Sequence, residues 1–172
     1  MTAAAAALSE TLPLAHLASD LGVRLDQAVD IAVGPRRVRL LSNDPVVVAY
    51  AGAVLRPGTP TPPGSPDRQP DAVCLAALVD APESDWPATA DGRSAEPVAL
   101  HRGGTGLSSV LSAAHGFRLF RVPGRQDRFV TDANARTVLY VGRRGDPRAV
   151  REPARLVEAV LTAVAAQDGP VL

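Results

Sequence analysis

The sequence predicts a single α+β domain: a mixed, mostly antiparallel sheet of five or six strands, with two or three helices packed on one face. Three observations lead there. The nearly unbroken apolar run at residues 71–80 has the length of a strand and the composition of one buried on both sides. Alternating segments at 117–122, 128–131 and 137–141 follow one another as successive antiparallel strands do. Helical spacing with start or stop signals marks the segments near 12–21, 44–55 and 152–167. A chain of 172 residues is long enough to bury a proper core as one domain.

Taken in order, residues 1–10 form an alanine-rich terminus expected to be disordered. Leu14, Leu17, Ala18 and Leu21 then recur at helical spacing and stop at Gly22, a glycine C-cap. A second short helical turn is expected over Leu25 to Val33. Arg37 to Leu41 alternates as a half-buried strand. Ser42-Asn43-Asp44-Pro45 combines a capping side chain with proline at the first helical position, so Val46 to Leu55 should be a helix.

Six prolines at 57, 60, 62, 63, 66 and 70 make residues 56–70 an exposed loop or linker, because proline fixes φ and lacks a donor. After the buried strand, residues 81–96 read as irregular, with Trp86 as their one large anchor. Pro97 to His101 reads as a strand, Gly103 to Gly106 as a turn, and Leu107 to Ala114 as a short helix ended by Gly116. The strands at 128–131 and 137–141 are joined by a polar hairpin loop. The last helix has two candidate starts, Asp146-Pro147 and Glu152-Pro153; the interior proline favours the second. Arg155 and Glu158 should lie on its exposed side.

All eighteen basic residues are arginine, and they balance eighteen acids to a formal net charge of zero. Without lysine the chain cannot form a phosphate-binding P-loop or a Schiff base. Zero net charge lacks the basic surplus that grips nucleic acid or an anionic membrane. Aromatic residues at 3% leave few surfaces for base stacking. The single cysteine, Cys74, forbids an intrachain disulfide and sits in an apolar run as a small core residue. No window approaches the length of a membrane span, and no signal peptide is visible, so a soluble cytoplasmic protein is expected.

The most site-like local feature is His101-Arg102-Gly103-Gly104-Thr105-Gly106, set between a strand and a helix. Free amides at a helix start beside a guanidinium suit a phosphate or carboxylate, which would make the chain a small anion-binding enzyme. A plain strand-to-helix turn accounts for the same glycines, and serine stands where a dinucleotide fingerprint needs its third glycine. Ser108 and Ser109 lack the Gly-x-Ser-x-Gly elbow of a hydrolase, and His16, His101 and His115 lack metal-ligand spacing. No cofactor and no catalytic residue is therefore assigned. Asp127 with Asp132, and Glu83 with Asp85, fall in loops and read as solvated turn residues. Residues 14–31 have the small-residue and glycine spacing of a helix-turn-helix, but Asp26 and Asp30 on its second helix would repel phosphates.

From residue 37 onward the order of pieces resembles the region that precedes the nucleotide site in actinobacterial HPr-kinase-like proteins. The matching pieces are Arg39 to Val47, the strand at Val73 to Asp80, the hairpin through Asp132 into Tyr140, and Arg151-Glu152-Pro153-Ala154-Arg155-Leu156-Val157 running to Gly169-Pro170-Val171-Leu172. That family's Gly-x-x-x-x-Gly-Lys loop is missing, so none of its nucleotide-binding or catalytic residues has a counterpart here. What the resemblance implies is a non-catalytic accessory or substrate-recognition domain whose partner is a protein, a P-loop kinase-like chain; the zero net charge, separately, speaks against a membrane or a nucleic acid.

Overall fold

The computed structural model describes residues 13–33, 35–55, 69–89, 100–102, 118–121, 125–131 and 136–167. Among them are helix α1 (Pro13–Asp20), strands β1 (Gln27–Val33) and β2 (Arg36–Ser42), helix α2 (Pro45–Val54) and strand β3 (Ala72–Val79). A single 3-10 turn (Glu83–Asp85) precedes β4 (Pro87–Thr89) and β5 (Leu100–Arg102). Strands β6 (Arg118–Arg121), β7 (Arg128–Thr131) and β8 (Thr137–Arg143) lead into helix α3 (Pro147–Gln167). The main sheet has six strands in the order β1-β2-β3-β8-β7-β6, and β4 with β5 forms a separate antiparallel ribbon. Parallel pairing is confined to the centre, β2 with β3 and β3 with β8; the remaining pairs are antiparallel. This is the mixed, mostly antiparallel α+β architecture that the sequence predicts.

Every residue of β3 is buried, as its unbroken apolar run requires. Val73, Leu75, Ala77 and Val79 pack with Leu14, Leu17 and Ala18 of α1. Cys74, Ala76 and Leu78 pack on the other side with Val47 and Ala51 of α2 and with Ala154, Val157 and Val160 of α3. Two helices thus share one face, as expected, whereas α1, expected on that face beside them, takes the opposite one. A central strand flanked by parallel neighbours and covered by helices on both sides has no polar face to present.

The local signals at the ends of α1 and α2 are realised atom by atom. Gly22 adopts φ +78° after α1, its amide donates to Ser19 O at 2.9 Å, and the Val23 amide donates to Ala18 O at 3.3 Å. That pair of bonds is the Schellman closure, which needs a residue without a Cβ in the left-handed region. Asp44 caps α2, accepting from the Val46 amide at 2.8 Å, with Pro45 at the first helical position. Ser42 donates to Ala76 O at 2.9 Å. The Asn43 side chain imitates a peptide group, donating to Leu78 O at 2.8 Å and accepting from the Leu78 amide at 2.9 Å. It prolongs the β2–β3 ladder past the point where the backbone turns away into α2.

Three further expectations are corrected. Residues 27–33 form strand β1 rather than a helical turn, so the helix-turn-helix over 14–31 has no second helix. The β-branched Val29 and Ile31 alternate with exposed Ala28 and Asp30, and β2 lies opposite with Asp30 facing Arg39 in a 2.7 Å ion pair. Helix α3 begins at Pro147, not Glu152. The amide of Arg148 donates to Asp146 Oδ1 at 3.0 Å, and Ala149 is fully buried, so the first turn is both capped and anchored despite Pro153. Residues 83–89, expected to be irregular, contain the 3-10 turn and β4.

Gly142 is required by space. A Cβ there would fall 2.6 Å from Tyr140 Oη and 2.8 Å from the ring, because the phenol leans along β8 over its neighbour two residues on.

Candidate functional site

Two polar constellations flank the β7–β8 end of the sheet, one on each face. Antiparallel pairing sets Arg128 opposite Val141 and Phe129 opposite Tyr140. Side chains alternate along a strand, so Arg128 shares the α1 face with buried Val130, while Asp127 and Phe129 share the α2–α3 face with Tyr140.

On the α1 face Trp86 is fully buried and donates its indole N–H to Ala81 O at 3.0 Å. The Arg128 guanidinium lies 5.6 Å from the centre of that ring and the Arg143 guanidinium 5.1 Å. Both distances suit cation–π attraction. Arg128 is 4% exposed and donates to Glu83 Oε1 at 2.6 Å and to Gln126 O. Its Nε is the one buried side-chain polar atom without a hydrogen-bond partner among the described residues; the indole is its aromatic neighbour. Arg143 closes the cluster by donating to Ala81 O at 2.9 Å and Asp80 O at 3.2 Å.

On the opposite face Asp127, 3% exposed, accepts from the Tyr140 hydroxyl at 2.8 Å and from Arg125 Nη2 at 2.6 Å. Arg125 also donates to Glu152 Oε1 of α3 at 3.1 Å, and Arg155 reaches the same oxygen at 3.3 Å. Burial, and then the bond to Asp127, push the Tyr140 phenol above its ordinary range. It is held as a neutral donor rather than a base. The network ties β7, β8 and α3 together, and its members already hold one another's hydrogen bonds.

Asp127 is therefore not the solvated turn residue that its loop suggests, whereas Glu83 lies in the 3-10 turn with its side chain 38% exposed. Among the described residues Arg125, two residues before Asp127, is the only partner within its own window; the others in the network are Tyr140, thirteen positions on, which bonds Asp127, and Glu152, on another element, which bonds Arg125. Asp132 lies outside the described residues.

Of the sequence-derived anion site, His101 and Arg102 belong to β5, which pairs with β4 so that Arg102 stands opposite Pro87, the residue after Trp86. Their side chains, and Gly103, Gly104, Thr105 and Gly106, lie outside the described residues, as do Ser108, Ser109, His115 and the loop at 56–68. His16 falls on α1. Among the described residues no three histidine, cysteine, aspartate or glutamate side chains gather as a metal site, and no helix is long and apolar enough to cross a membrane.

Cys74 is the small core residue expected, fully buried, with its thiol pushed up from 9.0 to about 12 by desolvation. Below pH 9.0 the thiol is neutral both folded and unfolded, so its contribution is intact. Above that pH only the unfolded chain ionises, and stability falls progressively as the pH climbs towards about 12. The native protein should accordingly resist iodoacetamide at pH 8 and react rapidly once unfolded in urea; fast labelling without denaturant would show the thiol to be accessible.

No family model, no curated protein and no solved structure matches this chain. The fold and its two constellations together define an α+β domain whose buried side-chain polar atoms, among the described residues, are spent on internal bonds save Arg128 Nε.

Proposed function

We propose that the protein is a non-catalytic accessory or recognition domain acting in the cytoplasm through a protein partner. The partner class is the P-loop kinase-like chain implied by the resemblance of residues 37–172. One observation carries the non-catalytic reading. Among the described residues the groups best suited to chemistry, Cys74, Tyr140 and Asp127, are buried in the core or bonded to one another, and none of the three offers a reactive atom to solvent. An enzyme of this kind would instead hold a nucleophile or base within reach of a cleft, with its pKa drawn towards neutrality. Here Cys74 and Tyr140 are shifted away from reactivity.

Thermal denaturation with ATP, a phosphosugar or inorganic phosphate should leave the midpoint unchanged. Specific binding at a hundredfold excess over Kd would add about 2.7 kcal/mol of stability and move it clearly upward. A rise abolished by Arg102→Ala would overturn the proposal and favour phosphate binding at residues 101–106.

A further inference from the structure

Helix α2 carries no charge along its ten residues, PVVVAYAGAV, and its one polar side-chain group is the Tyr50 hydroxyl. Only Val47 and Ala51 are buried; Val46 and Val54 are each 56% exposed, and Ala49 and Ala53 are exposed as well. A helix apolar on all sides is normally enclosed. Beside it runs α3, whose first half exposes Arg148, Arg151 and Arg155 at spacings of three and four, a single stripe. Among the described residues no carboxylate pairs with Arg148 or Arg151, and the one that meets Arg155, Glu152, is shared with Arg125. Arg148 lies in the first turn of α3 and Arg151 just beyond it, near the pole of the helix dipole that disfavours cations. The stripe is therefore an arrangement that the fold itself does not favour.

The two helices form one surface. Each returns from the carboxyl end of a strand, α2 from β2 and α3 from β8, and those strands run parallel through β3. The helices pack on the same face of the sheet and against each other, with their N-termini at the same end. Their outward sides thus join an uncharged strip to a row of guanidiniums.

We infer that this two-helix surface docks an acidic amphipathic segment of a partner protein, its apolar side on Val46, Ala49 and Ala53 and its carboxylates on Arg148, Arg151 and Arg155. Charge complementarity selects that occupant. A second copy of the chain offers no matching acidic face among the described residues: its exposed acids are Asp26, Asp30, Asp80 and Glu158, of which Asp30 pairs with Arg39 and Asp80 with Arg144. A nucleic acid would find three cations, fewer than the run of phosphate contacts that sustains such binding, and no use for the valines. The inference builds on the binding-domain reading but rests on different residues.

Fluorescence anisotropy with a labelled amphipathic glutamate–leucine helical peptide tests it. Binding is expected, weakening with salt. Affinity should fall about tenfold or more in the Arg148→Glu, Arg151→Glu double variant and in Val46→Asp, with circular dichroism confirming that both remain folded. Absence of binding, equal binding of a lysine–leucine peptide, or affinity untouched by these variants overturns the inference. So does duplex DNA or a phosphatidylserine vesicle that binds as tightly and is lost in the same variants. A concentration-dependent dimer abolished by Val46→Asp overturns it in favour of a second copy. None of these variants touches Arg102. Failure here leaves the non-catalytic reading standing, while phosphate-induced stabilisation lost in Arg102→Ala removes that reading and leaves this surface in place.

Discussion

Replacing Trp86 by alanine is expected to cost about 4–5 kcal/mol, a large part of the ~5–15 kcal/mol that holds a domain of this size together. Three losses combine. The fully buried indole leaves a cavity in the core cluster it shares with Leu25, Leu119, Val141 and the apolar face of α1, which the remaining side chains fill only in part. Arg128 and Arg143 lose the ring near which both guanidiniums lie. Because Arg128 is 4% exposed, it cannot turn to water without breaking its bonds to Glu83 and Gln126. Trp86→Phe retains an aromatic face and loses the indole donor to Ala81 O, so its cost should stay near ~1–2 kcal/mol before any cavity is counted. Urea titration followed by far-ultraviolet circular dichroism measures both, since Trp86 is the chain's only tryptophan and cannot serve as the probe of its own removal. A loss under ~2 kcal/mol for the alanine variant would show that the indole anchors nothing.

The second large effect is expected at Asp127. Alanine there strips the acceptor from the Tyr140 hydroxyl and leaves Arg125 with Glu152 alone. Removing one partner of a buried ionic group costs about 3–5 kcal/mol, chiefly because the remaining polar atoms are stranded. Tyr140→Phe deletes one hydroxyl and keeps Asp127 paired with Arg125, so about 1–1.5 kcal/mol is expected. The two losses should not add. With Asp127 gone the Tyr140 hydroxyl is already unpartnered, so the double variant should fall short of the sum by ~0.5–3 kcal/mol. A double-mutant cycle in urea reads that coupling directly, and strict additivity would mean that the two side chains do not act as a unit.

What the sequence made legible was what its neighbours along the chain determine. Ser42 to Pro45 announces a helix start because the cap, the proline and the amides they serve lie within five residues. The run through Ala72 to Val79 declares a doubly buried strand by its composition alone. Residues 25–33, expected as a helical turn because Leu25, Ala28 and Ile31 fit a helical face, carry Val29, Ile31 and Val33 at strand spacing as well. Only β2, pairing from Arg36 to Ser42, decides between them. The α3 start turned on whether Pro153 outweighs the Asp146 cap, and burial of Ala149 against the sheet tips the balance. The Asp127–Tyr140–Arg125–Glu152 network was invisible for a stronger reason. Each member is an ordinary residue in its own window, and three separate elements must assemble before any of them is buried.

Strand β3 has one more consequence, for the order in which the molecule forms. The β1–β2 hairpin and the β6–β7–β8 meander each join segments adjacent in sequence. Within the sheet their union goes through β3 alone, by bonds such as Ser42 to Ala76, spanning 34 positions, and Arg143 to Asp80, spanning 63, while α2 and α3 pack together on one face. Two halves can therefore gather early, while the strand between them waits on the closure of long loops, and domains dominated by such distant pairings fold in milliseconds to seconds. Because closure entropy grows only with the logarithm of loop length, doubling either connection would cost about 0.6 kcal/mol.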